Sequence, residues 1–428
     1  MVISRVYIVK YILFFTFLAN AFLGYPYSNI TIWTLPLNEW LLLVSLILIV
    51  PSIPNIVKTY PILIPILLWS VGYLTLSVPV GFSEYGIWAG RDALHLIEVW
   101  WLLVILFVLS RVDIRSEFTK ATRVLFFLIM AKIVLLLFGD IVTGVLVIQG
   151  VQGEVDLLGS KIGSTVILFL VFWLWFVKLD RGMLIPIMLV FFFVILQFRY
   201  IYIAILASIL LHLTFSKNFL FQGFKAFIFL MIFLLVLQLV SMLDFLDEYT
   251  KWGIEKISPV YLFSHLLSSF SIVTSDTFLG AASGIYQRLD WLLLNWDRAI
   301  NNVNVFLFGQ GFGPLLTDFS TTNAVREPHN SYLSVFARTG LIGFILWMFF
   351  HVYINTKVYL LLLSGKEKIR VTFSFRILLA VFMSMHAMYW FSLVEPGFET
   401  PNSTIPFYIL LGIMIFFIKK NNRVYYDK

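Results

Sequence analysis

The stretch Trp100-Trp101-Leu102-Leu103-Val104-Ile105-Leu106-Phe107-Val108-Leu109-Ser110-Arg111 decides how the chain is read. Ten apolar residues follow one another without a charge, and the first cation after them, Arg111, opens a short loop that also holds Arg115, Lys120 and Arg123. The run sits inside a longer apolar segment, 93–110. A membrane-spanning helix needs roughly 17–25 mostly apolar residues, and in lipid a helix satisfies every backbone polar group within itself.

Working outward by the same criterion gives twelve spans, near 6–24, 40–57, 60–80, 93–110, 122–140, 161–178, 183–198, 200–216, 224–243, 331–356, 371–393 and 403–420. The pair 183–216 reads either as two short spans turning at Arg199 or as one longer kinked region. Composition agrees: the 428 residues are 61% hydrophobic and 12% charged, against about 45–50% and about 25% in soluble domains. There is no cysteine, which excludes disulfides, thiolate metal sites and Cys nucleophiles. Residues 6–24 are followed by no A-x-A-like cleavage site and read as a retained first span.

The loop charges test the count and account for the net charge of +7 without nucleic acid. Lys419, Lys420, Arg423 and Lys428 place the C-terminal tail in the cytoplasm, and an even number of spans places the N-terminus there too. The inner loops then hold Lys58; Arg111 to Arg123; Lys178 and Arg181; Lys217 and Lys225; and Lys357, Lys366, Lys368 and Arg370. The outer loops 25–39, 141–160 and 394–402 hold no Lys or Arg. The expected organisation is spans one to nine in 1–243, a large outer segment in 244–330, and three spans with a basic tail in 331–428. No internal repeat of the inverted-repeat transporter kind is visible.

Within the large outer segment, Leu289, Leu292, Leu293, Trp296 and Ile300 share one helical face, with Arg288, Asp290, Asn295, Asp297 and Arg298 elsewhere. That pattern predicts an amphipathic helix at the membrane interface. Cations on the outer side need a reason of their own. Arg91, Arg199 and Arg288 carry a planar fork suited to diphosphate, and Arg298 and Arg326 lie in the same outer segment. In Pro328-His329-Asn330-Ser331-Tyr332-Leu333, Asn330 is an N-cap candidate and His329 stands at the start of the following helix. A helix N-terminus favours uncharged imidazole, the form a general base requires. His95, His212 and His351 read as packing or interface residues, and His265 has no local partner. His386, inside span eleven, and Glu395, at its outer end, form a second rank of candidates. Gly309-Gln310-Gly311-Phe312-Gly313-Pro314 lacks the strand, helix and acid of a dinucleotide site and reads as a turn allowing close approach of chain or ligand. There is no ATP loop and no Asp-x-Asp, so neither metal nor cofactor is expected.

Phe308 to Gly313, then Pro328 to Leu333, then Gly340-Leu341-Ile342-Gly343, resembles the signature of the O-antigen ligase and polymerase family. Arg199 and Arg288 resemble its two functional arginines, although Tyr200 and Tyr202 stand where the family often has small residues. The resemblance implies an all-α, GT-C-like membrane glycosyltransferase at the periplasmic face of a bacterial inner membrane. Its substrates would be undecaprenyl-diphosphate-linked glycans as donor and acceptor, with a chain-length regulator as partner. It further implies catalytic His329, Arg288 and Arg199; Arg91, Asn330, Gly311, Tyr332, Arg298 and Arg326 are candidate substrate contacts, Arg298 and Arg326 each reading, taken alone, as solvated. Polymerisation is the expected reaction; transfer to lipid A core is the alternative, and a lipid-linked-oligosaccharide flippase using Lys132 and His386 lies further off.

Overall fold

The structure is a computed structural model describing residues 4–28, 30–33, 35–137, 147–150, 153–156, 164–177, 279–317, 326, 328–365, 373–393, 397–398 and 400–426, with a few isolated positions between 208 and 238. Apart from those positions, spans seven to nine, and with them Arg199, fall outside the described residues, as does Glu395.

Seven helices among the described residues are long and apolar enough to cross a membrane: α1 (Arg5–Phe22), α2 (Leu37–Thr59), α3 (Leu63–Tyr85), α4 (Ile87–Leu109), α9 (Ser331–Ser364), α10 (Phe373–Phe391, apolar from Ser374) and α11 (Pro401–Tyr426, apolar to Lys420). They coincide with expected spans one to four and ten to twelve. Helices α5 (Ile114–Leu137) and α6 (Ser164–Val177) occupy spans five and six, and α7 (Leu279–Ile300) and α8 (Val303–Phe308) lie in the large outer segment. The chain is a mostly helical, multi-pass membrane protein.

Two short hairpins add to the all-helical expectation, both in predicted outer loops. Strands β1 (Thr31–Ile32) and β2 (Leu35–Pro36) pair antiparallel with Thr31 opposite Pro36. Strands β3 (Val147–Gly150) and β4 (Gly153–Asp156) pair with Val147 opposite Asp156.

The opening stretch is the centre of the bundle. Every residue from Trp101 to Leu109 is buried, as befits a helix apolar all round. Helix α3, by contrast, leaves Leu68, Leu76 and Val80 exposed, a surface for lipid. Gly86, at φ 60°, turns the chain so tightly that α4 begins at Ile87, earlier than the expected residue 93. Arg91 is therefore helical.

The loops assigned to the outside gather at one end. Ser331 N donates to Ser392 O at 3.0 Å and Phe398 N to Ser331 Oγ at 3.0 Å, joining the start of α9 to the α10–α11 connection. Gly313 N donates to Asp92 at 3.2 Å, joining the glycine turn to the α3–α4 turn.

Helix α9 is broken at Gly340, at φ 63° and ψ −171°. The break releases carbonyls that a straight helix would commit four residues on. Each has a new donor: Gln310 N reaches Ala337 O at 2.7 Å, Gly311 N reaches Arg338 O at 3.2 Å, and the Tyr73 hydroxyl reaches Thr339 O. Irregular backbone at membrane depth is tolerated where protein satisfies it. Gly309 and Gly340 must both lack a Cβ: one at Gly309 would overlap Arg338 O, and one at Gly340 would overlap Gly309 N and the Leu307 carbonyl. The glycine turn and the Gly-x-x-Gly segment, 31 residues apart by first glycine (340 − 309), are two sides of one contact.

Candidate functional site

Asn330 caps α9 as expected, its side chain accepting from Leu333 N at 3.0 Å. The chain enters that cap through His329, held at φ 50°, a left-handed conformation that costs a non-glycine residue energy. Trp33 is the other such residue among the described ones. The His329 ring stacks on Trp291 of α7, centroids 6.2 Å apart and planes 19° apart. Arg288 stands one turn before Trp291 and is half-buried. The structure thus brings His329 to the helix that carries Arg288.

Helix α7 has the two faces the sequence predicts. Leu289, Leu292, Leu293, Trp296 and Ile300 are exposed, while Trp291, Asn295 and Ala299 are buried. Asn295 fixes the turn beneath it, donating to Leu316 O at 2.7 Å and accepting from Gln310 at 2.9 Å. Arg298 is committed to the same task, bonded to Leu315 O at 2.9 Å and to Gln310 at 3.2 Å.

The electrostatic centre of this end is Asp92, which sequence reasoning passed over. Its carboxylate accepts from Arg326 at 3.0 and 3.3 Å and pairs with Arg338 at 2.8 Å. Arg338 is 1% exposed and spends its other nitrogen on Pro314 O at 3.0 Å and Gly311 O at 3.3 Å. Among the described residues, two guanidiniums thus meet one carboxylate, leaving one positive charge. Arg91 adds another: it is exposed and lies 5.2 Å over the Trp88 ring, with Arg326 at 4.6 Å from the same ring. The signal for Arg338 was present, since an arginine inside an apolar span is by default a functional question. His95 packs beside this centre, 5.6 Å from Phe312 of the glycine turn and 6.0 Å from Trp69.

The remaining candidates separate. Gly311 is used by the turn itself. Tyr332 donates to Tyr389 O at 3.0 Å and packs edge-on to Trp347 and Phe398. His386 is engaged along its own helix, accepting from Trp390 at 3.1 Å and stacking on Phe382. A groove of about 520 Å³ runs between α3 and the glycine turn, lined by Trp69, Leu76, Val80, Gln310, Ile342 and Leu346 among others.

Compared with protein-family models and with curated proteins, the sequence matches none.

Proposed function

We propose that the protein is a membrane glycosyltransferase that polymerises undecaprenyl-diphosphate-linked repeat units at the outer face of a bacterial inner membrane. The observation that carries this reading is His329: strained, seated at a helix N-terminus and stacked on the helix of Arg288, at an end of the bundle where Arg91, Arg326 and Arg338 gather.

In this reading the acceptor hydroxyl oxygen attacks the anomeric carbon. His329 takes the hydroxyl proton. The bond from that carbon to the diphosphate oxygen breaks, and its electron pair leaves with the lipid diphosphate. In-line attack inverts the anomeric centre. Arg288, Arg91 and Arg199 hold the departing charge; each such clamp supplies a few kcal/mol of transition-state stabilisation, of the order measured for single oxyanion donors (about 3–4 kcal/mol). The groove beside α3 offers apolar walls for the isoprenoid tail. Arg298, Arg326 and Arg338 keep the turn in place.

The test is purified protein in liposomes with lipid-linked repeat units. Polymer ladders that vanish with His329→Ala, in a variant that still inserts and unfolds normally, support polymerisation. Product formed only with lipid A core present makes the enzyme a ligase. Normal ladders from the variant remove His329 as the base.

A further inference from the structure

Away from the arginines, α1, the helical turn Tyr25–Ser28, α2, α4 and α11 converge on a second polar pocket. Glu39, in the first turn of α2, is 4% exposed, and Glu98, in α4, is 1% exposed. The charge of Glu39 acts on Glu98. None of their four oxygens has a hydrogen-bond or ion-pair partner among the described residues. Thr404 of α11 lies beside Glu98 without reaching hydrogen-bond geometry. Tyr27 is buried within the field of Glu39, and Thr16 is buried beside the Tyr27 hydroxyl; the two hydroxyls are neighbours that do not reach hydrogen-bond geometry. Burial, and after it the Glu39 charge, push the Tyr27 phenol up, so it stays a neutral hydroxyl. Asn20 and Asn38 close one wall by pairing with each other at 3.2 and 3.4 Å. Tyr408 of α11 stands near Glu98. Buried Lys132 lies 5.5 Å over Phe22 and pairs with neither glutamate.

Six buried oxygens, four carboxylate and two hydroxyl, therefore make no hydrogen bond among the described residues. Protons on the two acids would satisfy only a fraction of them. A hard cation takes several oxygens at once, about six to eight for calcium. No third acid and no histidine joins the pair among the described residues. The donor set is all oxygen, which disfavours a transition metal. We infer that Glu39 and Glu98 form a binding site for a hard, oxygen-seeking metal cation, with the Tyr27 hydroxyl, and Thr16 beside it, as further oxygens. The bound ion ties α2, α4 and the turn Tyr25–Ser28 together. The inference does not depend on the glycosyltransferase reading.

The test is full-length protein in detergent, stripped with chelator and titrated with sodium or calcium chloride, choline chloride holding ionic strength constant. Thermal unfolding is followed by tryptophan fluorescence. One of the two ions should raise the midpoint saturably by about 2–5 °C, and the E39Q/E98Q double variant should lose that response. Because binding needs deprotonated ligands, calorimetry of the wild type in two buffers should show proton release. This second measurement stands even if the variant fails to fold. An identical response from the double variant, or no saturable binding of either ion by the wild type, overturns the site and leaves a pair of protonated acids.

Discussion

Around Asp92, each charge has a partner among the described residues; around Glu39 and Glu98, neither carboxyl group has one. Both clusters are buried at the same end of one bundle, yet they are built oppositely. Asp92 collects two guanidiniums and a backbone amide, and those guanidiniums use their remaining donors on carbonyls of the glycine turn. That is a closed network, and closed networks fix a conformation. The glutamate pocket is open in the chemical sense: its carboxyl oxygens have no hydrogen-bond partner among the described residues. Buried acids of that kind are met by a proton or by a ligand. The comparison separates charges that build a site from acids for which we infer a ligand.

The sharpest way to break it is Asp92→Ala. This leaves Arg338 buried without its carboxylate, and removing one member of a buried pair costs about 3–5 kcal/mol. A large drop in the unfolding midpoint is expected, with partial recovery in D92A/R338M, where the stranded charge is gone. A wild-type midpoint for D92A would mean the network holds nothing. Next in size is Gly340→Ala. The left-handed backbone alone costs about 1–3 kcal/mol in a non-glycine residue, before the new Cβ meets Gly309 and Leu307. Because Gly309→Ala disrupts the same contact, the double variant should cost less than the sum of the two singles. Additive losses would show that turn and kink are independent. Asn330→Ala removes the cap of α9 and should cost about 1 kcal/mol, measured the same way.

On the glutamate side the expected sign reverses. In chelator-treated buffer, E39Q/E98Q should match or exceed the wild-type midpoint, because it removes acids that have no partner to lose. A loss of D92A size would place a partner there and end the contrast.

What the sequence conveyed and what it hid follow the same division. Spans were legible because period and composition are local: the apolar run at 101–109 is the most enclosed part of α4. The Asn330 cap and the two faces of α7 were legible for the same reason. The turn at 309–314 was readable as a turn, but its partner was not, since nothing in Gly309 or Gly340 alone reports that their backbones touch. Asp92 and Arg338 are 246 residues apart (338 − 92), and a pair across that separation leaves no periodic trace. Arg326 and Arg298, offered as substrate contacts, looked available because their partners are a distant acid and main-chain carbonyls. The two glutamates were hidden differently: Glu39 reads singly as an acid in the first turn of a helix and Glu98 as a lone acid inside a span, and only the packing of α2 on α4 makes them a pair.

Arg91 gives the smallest effect on stability and the cleanest division between building and binding. It is exposed and lies against Trp88, next in sequence to the most heavily engaged carboxylate at this end of the bundle. If its guanidinium serves the fold, Arg91→Ala should lower the unfolding midpoint. If it serves a diphosphate, the midpoint should stay put while polymer formation falls and the donor concentration needed for half-maximal rate rises. Arg91→Lys separates charge from shape, since an ammonium keeps the charge but loses the fork. Recovery of donor affinity with lysine would reduce the residue to a point charge. Failure of lysine to recover it, at an unchanged midpoint, would place a bidentate anion contact at the outer end of α4.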